Sequence, residues 1–208
     1  TMRWLSFALA LLLTLALIYL GGSNQPLGSQ LPPVGKLISP FTGFWQNAEP
    51  AGAPADLTLD LPELSAPVEV VFDERRVPHI FAGNTADAFF VQGYLEARDR
   101  LWQMDISVRS AAGRLAEVLG PGLLETDREQ RRKGLLESAR RTLTVWNASP
   151  VDSVLIAAYS DGANAYIRDL KPAGYPLEFK LLDYAPEPWS PLKCLVFYKK
   201  MAETLCYR

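Results

Sequence analysis

From Phe90 to Leu119 the chain repeats one pattern: Phe90, Tyr94, Ala97, Leu101, Met104, Val108, Ala111, Leu115 and Leu119 follow at steps of three and four. A strand alternates with period two, so this series predicts a helix with a continuous buried stripe. Asn84 or Thr85 caps it, and Asp87 sits in the first turn, where the helix dipole favours a negative charge. Gly120-Pro121-Gly122 stops it. Gly93 and Gly113 interrupt it, each at about 1 kcal/mol against alanine; close approach of a neighbouring element accounts for both. Glu96 and Arg100 are placed to pair one turn apart. The stretch GYLEARDRLWQMDISVRSAAGRLAEVLG is also more charged than amphipathic packing requires. Arg98, Arg100, Arg109 and Arg114 are expected to hold buried ion pairs that tie helices together, with contact to an anionic substrate as the alternative.

Hydrophobic residues make up 49% of the 208, ample for one globular domain. A net charge of −2 gives no field for nucleic acid and no polybasic membrane patch. Two cysteines cannot form a disulfide framework. Cys194 and Cys206 share one predicted helix, where the helical rise separates them by roughly 18 Å, beyond disulfide reach. Both are read as free thiols that fill space.

The first residues set the compartment. RWLSFALALLLTLALIYL is apolar from Trp4 to Leu20 apart from Ser6 and Thr14, at the lower length limit for a bilayer span. Residues 1–21 are read as a signal anchor, with a cleaved signal peptide as the competing reading. Arg3 then stays in the cytoplasm, and the rest is exported, to the periplasm or the outer face of the cytoplasmic membrane. Residues 22–67 form a linker rich in glycine and proline. Its Phe41, Phe44 and Trp45 either dock on the domain or sit at the lipid interface. Thr1 precedes Met2, and KKMAETLCYR ends inside a helical pattern without a cap, so the chain is expected to be a fragment or one piece of a processed protein.

The domain spans residues 68–208. VEVVFDE makes Val68–Phe72 a strand, and VPHIFA is a second, since Pro78 biases its predecessor away from helix. DERR turns between them. His79 is the sole histidine and is read as structural, because no partner supports a metal site. LETDREQRRKGLLESARRTLTVW is a second helix, its REQRRK run a solvated face. The third has Ser149 as cap, Pro150 at its first position and a face of Val151, Leu155, Ala158, Gly162 and Tyr166. An irregular, proline-rich stretch follows. Ser190-Pro191 opens a fourth helix.

Catalytic patterns are absent: no histidine pair, no Walker-type phosphate loop, no GxSxG elbow. Asp99, Asp105, Glu117, Asp161 and Glu187 show no recognisable acid/base spacing. Taken alone, the residues describe an exported, membrane-tethered, mostly helical chain.

Four segments in series nevertheless resemble the α-chain of the penicillin acylase (penicillin amidase) family of N-terminal nucleophile hydrolases. They are VVFDERRVPHIFAGNTADAFFVQGY, the GYLEARDRLWQM helix with GRLAEVLG, LIAAYSDGANAYI, and PLEFKLLDYAPEPWSPLKCLVFYKKMAETL, together covering about Val68 to Leu205. The resemblance implies an α+β fold: a mostly helical α-chain portion with a short β-hairpin, part of an αββα sandwich completed by a β-chain after self-cleavage. It implies an enzyme that hydrolyses N-acyl bonds of small molecules such as β-lactams, acyl-homoserine lactones or N-acyl amino acids. The nucleophile would be the N-terminal serine of the β-chain, its own α-amino group acting as base; no catalytic residue then lies in this sequence.

The resemblance also carries the helix after Trp189-Ser190-Pro191 into the acyl pocket. Its substrate-binding positions fall on Met201, Thr204 and Leu205, the last two replacing the usual arginine and phenylalanine, which puts a phenylacetyl preference in doubt. Calcium is implied by the family alone, through a glutamate beyond Arg208. Three residues depart from the usual pattern: Arg76 for glycine, Ser110 for arginine, and Lys193 for aspartate, the last unfavourable in a first helical turn. The implied partners are a β-chain, an N-acyl substrate and, through the N-terminal helix, a membrane. A non-catalytic scaffold and a membrane-anchored interaction module are the alternatives. The domain is expected to expose a large apolar surface meant for the β-chain.

Overall fold

The computed structural model describes residues 2–22 and 58–206. The chain divides into two compact units, Thr1–Pro54 with Lys171–Ala185, and Ala55–Leu170 with Pro186–Arg208. Phe41, Phe44, Trp45 and most of the linker lie outside the described residues.

In the first unit, helix α1 covers Met2–Gly22, and every side chain described on it, from Trp4 to Tyr19, is exposed. Among the described residues no helix is long and apolar enough to cross a membrane. A 3-10 turn at Pro172–Gly174 and a short helix at Leu177–Leu182 replace the irregular stretch expected there. Tyr175 meets Phe179 edge-on and Phe179 meets Tyr184 at a tilt, with ring centroids 6.4 and 4.8 Å apart. The short helix stops at Asp183, whose φ of 58° lies in the left-handed region.

The second unit opens with the expected hairpin, β1 (Glu69–Phe72) against β2 (Pro78–Phe81), antiparallel, with Val70 opposite Ile80. Asp73 closes the turn: its Oδ1 accepts from the main-chain N–H groups of Arg75 and Val77 at 2.9 and 2.8 Å. Arg76 sits at φ 61°, a conformation that glycine adopts without steric cost, which is the physical reason a glycine suits this position. His79 is exposed, its Nε2 3.6 Å from Asp73 Oδ2, in line with a structural role. Val70 and Ile80 pack on Phe90, Val91, Leu95 and Ala165, and so do Leu61 and Leu64 from upstream. This hairpin is the one sheet among the described residues; the αββα sandwich is not seen in them.

Helix α2 runs Thr85–Ala112, capped by Asn84, whose Oδ1 accepts from Asp87 N at 2.8 Å. Phe90, Ala97, Leu101, Val108 and Ala111 are buried as the periodicity predicts. The helix does not continue to Gly120. Gly113 ends it at φ 67°, because a Cβ there would meet the Asp127 carbonyl oxygen at 2.5 Å. Leu115 and Leu119 therefore leave the stripe, and α3 is a separate single turn, Ala116–Leu119. Arg100 (φ −142°, ψ 23°) kinks α2 midway, and the expected Glu96–Arg100 pair is replaced by Gln92 and Tyr159 donating to Glu96.

The predicted second helix is two, α4 (Leu124–Arg132) and α5 (Leu135–Asn147), parted by Gly134 at φ 72°. Helix α6 (Pro150–Asp169) starts as expected, with Ser149 Oγ accepting from Asp152 N at 3.4 Å. Its buried face is partly displaced from the predicted one: Gly162 is buried and Ala158 packs on the core as expected, but Val151 is exposed and Ile156, Ser160, Ala163 and Ala165 are buried. The displacement follows from how α6 meets α2. An added Cβ at Gly162 would lie 1.8 Å from Phe90 O, and one at Gly93 would lie 2.0 Å from Tyr159 O. Backbone lies against backbone at both points, so only glycine fits. Helix α7 is the Leu177–Leu182 helix of the first unit. Helix α8 (Pro191–Cys206) buries Leu195 and Val196 and packs on α5 and α2.

Replacing Gly162 by alanine forces a main-chain shift rather than a rotamer change. In the full-length protein G162A is expected to cost about 3 kcal/mol, a fall of roughly 2–3 °C in Tm if that protein is several times the length of this chain. Gly122→Ala, where an added Cβ meets nothing within 4 Å, serves as the near-neutral control. Equal melting of the two variants by differential scanning calorimetry would refute the backbone contact.

Candidate functional site

Helix α8 carries all three predicted site residues, and its orientation is fixed from its buried side. Leu195 and Val196 point inward. Glu203 is also turned inward, its side chain 8% exposed and paired with Lys200 at 2.8 Å and with Lys133. Gln130 Nε2 adds a third donor at 3.2 Å. Lys133, then Lys200, hold the Glu203 carboxyl down at about 2. The REQRRK run is thus only partly a solvated face: Arg128 and Arg132 pair with Glu125 at the surface, while Gln130 and Lys133 reach α8 and Arg131 donates to Gly113 O at 2.8 Å.

The opposite side of α8 is bare. Phe197, Met201 and Leu205 recur at steps of four, with Tyr198 beside them, and all are exposed: Met201 is 50% and Leu205 70% accessible. Thr204 is exposed too, but its Oγ1 donates to Lys200 O at 3.0 Å, so its hydroxyl is satisfied within the helix. The three predicted residues share the last turns of one helix, and what they present outward is apolar.

The start of α8 is held by a charge cluster. Arg109, the buried member, donates through Nε to Asp105 Oδ2 at 2.8 Å, through Nη1 to Glu117 Oε2 at 2.9 Å and through Nη2 to Glu187 Oε1 at 2.8 Å. Arg114 binds the same two glutamates, at 2.7 Å from Glu117 and 2.9 Å from Glu187. Lys193 reaches Glu187 at 3.2 Å. Hydrogen bonds from Arg114, then the charges of Lys193 and Arg109, overcome burial and bring the Glu187 carboxyl down to about 2. Burial pushes the Lys193 ammonium the other way, below its ordinary range, against the pull of Glu187.

Of the four arginines expected to form buried pairs, Arg109 does so, while Arg114 ties the same elements together from a half-exposed position. Arg98 instead pairs with its neighbour Asp99 and lies 5.2 Å from the Phe72 ring centre, and Arg100 is exposed. Lys193 does not fray the first turn of α8, because its Nζ folds back to Pro188 O at 2.8 Å and to Glu187.

Asn164 and Asp127 went unread in the sequence, and Asp87, read there as a first-turn charge, has a second role. Asn164 brackets the main chain of Trp189, accepting from its N–H at 2.7 Å and donating to its carbonyl at 2.9 Å. Asp127 is buried and accepts from Leu115 N and Ala116 N at 2.9 and 2.8 Å, so it caps α3 from twelve and eleven residues away. Asp87 likewise receives Ser65 and Ala66, and the Ser65 hydroxyl leads the hydrogen bonds that lower its pKa. No local motif marks Asp127, whereas Asn164 lies inside the GANAYI segment.

Among the described residues no group of three or more histidine, cysteine, aspartate or glutamate side chains could hold a metal ion. Both cysteines are free thiols. Cys194 receives Trp189 Nε1 at 3.1 Å and lies 3.8 Å from Ser160 Oγ; burial pushes its thiol up, which makes it a poor nucleophile.

Residues 67–208 match the penicillin amidase family. The chain is 38% identical to a penicillin acylase 2 proenzyme of Pseudomonas sp. (strain SE83) over 148 residues, 71% of this chain and 19% of that one. It is 33% identical to penicillin G acylase of Escherichia coli over 66% of this chain and 16% of the other. An acyl-homoserine lactone acylase of Pseudomonas aeruginosa is 40% identical over 55% of this chain and 13% of its own length. The chain thus spans at most about a fifth of these relatives. Among solved structures, a thermostable penicillin G acylase from Alcaligenes faecalis superposes with a TM-score of 0.61 at 32% identity, over 68% of this chain and 75% of that one.

Two outcomes follow from the charge cluster. In the full-length protein, Arg109→Met leaves Asp105 buried without its guanidinium and is expected to cost about 3–5 kcal/mol in urea unfolding; a loss below 1 kcal/mol would show the pair to be dispensable. Glu187 has a depressed folded pKa, so its contribution is complete above the unfolded value of about 4.3 and is lost as pH falls through about 2. Between pH 4.5 and 2.5 the urea midpoint of the parent protein should therefore fall more steeply than that of Glu187→Gln.

Proposed function

Because the chain belongs to the penicillin amidase family, we propose that it is the α-portion of an exported acylase that hydrolyses the N-acyl bond of a small amide. The observation that carries this is the bare apolar row Phe197, Met201 and Leu205 on a helix pinned from behind. A surface helix of a self-sufficient domain turns such a row inward; this one offers it to something else. In the proposal that something is twofold. A β-portion encoded beyond Arg208 covers most of the face, and between the two lies the acyl group of the substrate. Met201 and Leu205 bury the acyl chain by dispersion and water exclusion. Thr204 offers no free donor to it, since its hydroxyl is engaged with Lys200.

The chemistry falls to the β-portion. Its N-terminal serine attacks the amide carbonyl, and the free α-amino group, with a pKa near neutrality, takes the hydroxyl proton and returns it to the departing amine. Water then hydrolyses the acyl-enzyme by the same route. The α-portion binds, orients and excludes water. Calcium enters through family resemblance alone. The glutamate that the resemblance implies as its ligand lies beyond Arg208, among the described residues no cluster could hold a metal ion, and no step passes through a metal. Export, with residues 4–20 as the anchor, is proposed from the apolar N-terminal sequence alone, since among the described residues no helix is long and apolar enough to cross a membrane.

Expression of the full-length protein tests the reading. Purified material should release amine from phenylacetyl or fatty-acyl amides, and replacing the serine at the maturation site by alanine should abolish release; an inactive, unprocessed product would overturn it. Met201→Ala should raise KM by roughly tenfold with kcat changed far less. Residues 68–208 alone should bind a hydrophobic dye and aggregate, and a monomeric, cooperative melt would count against the missing partner. Cell fractionation with alkaline extraction checks the anchor.

A further inference from the structure

Pro186–Ser190 leads into α8 and is gripped from two sides. Asn164 of α6 holds the main chain of Trp189 through both its N–H and its carbonyl. Two residues earlier, Glu187 places Oε1 against Arg109 at 2.8 Å and Arg114 at 2.9 Å, and Oε2 against Lys193 at 3.2 Å. One carboxylate therefore joins α2, the turn after it, and the first turn of α8. Lys193 completes the grip: its Nζ donates to Pro188 O at 2.8 Å and lies 5.6 Å from the Trp189 ring. The other charged groups of the cluster are Asp105 and Glu117, and both are bound to Arg109 without Glu187.

That asymmetry decides what Glu187 does. If its charge is removed, Arg109 keeps two carboxylates and α2 stays tied. Lys193 keeps the Pro188 carbonyl oxygen and the Trp189 ring but no paired carboxylate, and the first turn of α8 loses its ion-pair link to Arg109 and Arg114. Met201 lies eight residues beyond Lys193, about 12 Å along one uninterrupted helix, so a shift of the first turn is carried toward the apolar row, against the hold of Leu195, Val196 and Glu203.

We propose that Glu187 is a positioning residue: through Arg109, Arg114 and Lys193 it sets the rotation of α8, and so the placement of Phe197, Met201 and Leu205 against the acyl chain. The second half of this statement rests on the acylase reading; the first half does not. Glu187 touches no substrate and takes no part in proton transfer.

The test uses Glu187→Gln and Glu187→Asp in the full-length protein. Hydrogen–deuterium exchange reads the structural half without any activity. In E187Q, exchange should rise in peptides spanning residues 186–206 and stay unchanged in those spanning 85–112. Kinetics on phenylacetyl and octanoyl p-nitroanilides read the functional half. E187Q should raise KM by about tenfold with kcat within about twofold, a split that general destabilisation does not produce, and E187D should recover most of the loss. Unchanged or uniformly raised exchange, or a fall in kcat at constant KM, would overturn the proposal. A parent protein without acylase activity would overturn the functional reading while the exchange result still decides the role of Glu187 in the fold.

Discussion

Burying one guanidinium imposes most of the order around α8. Arg109 lies almost entirely out of water, where an unpaired charge costs several kcal/mol. The fold meets that demand with Asp105 one turn away on the same helix, Glu117 across the Gly113 turn, and Glu187 from the distant Pro-rich segment. Each partner is tethered to something else. Glu117 belongs to a single helical turn that exists because Asp127 caps it. Glu187 precedes the residue bracketed by Asn164. The arginine thus acts as a hub whose spokes are local structures too short to be stable alone.

In the acylase proposed above, function would enter through the far end of the same arrangement. A helix anchored by ion pairs at both ends and packed along one side has its other side free to be a wall. Directional hydrogen bonds fix its rotation where apolar contacts would let it slide. The apolar row needs no charge or donor of its own to help define a pocket; it needs only to be held in place. That division, polar groups for position and apolar groups for contact, matches a chain that supplies binding surface while the reacting groups come from elsewhere.

Much of this was legible in the sequence and some was not, for physical reasons. Helices α2, α6 and α8 and the hairpin follow from periodicity, caps and Pro78, all of which act within a few residues. The C-terminal end of α2 and the break at Gly134 did not follow. Both depend on a glycine entering the left-handed region, and at Gly113 the nearby α4 backbone also leaves no room for a Cβ. Arg109 and Arg114 were expected in buried pairs, yet Glu187 could not be named as the partner, because 78 and 73 residues separate them. Val151 was placed on the buried face of α6 by spacing alone, whereas the true face is set by glycine contacts that hydropathy does not register. Met201, Thr204 and Leu205 owe their selection to family resemblance. Their outward display appeared only in the fold.

The contacts at Gly93 and Gly162 bear on how this family can diverge. Each glycine faces a main-chain carbonyl on the other helix, not a side chain. A clash between side chains can be relieved by shrinking the opposing residue, and lineages often drift through such paired exchanges. Here there is nothing opposite to shrink, since every amino acid brings the same carbonyl. No second-site change at Phe90 or Tyr159 can rescue a larger residue at either glycine, so evolutionary variation along these two helices is channelled around two fixed points.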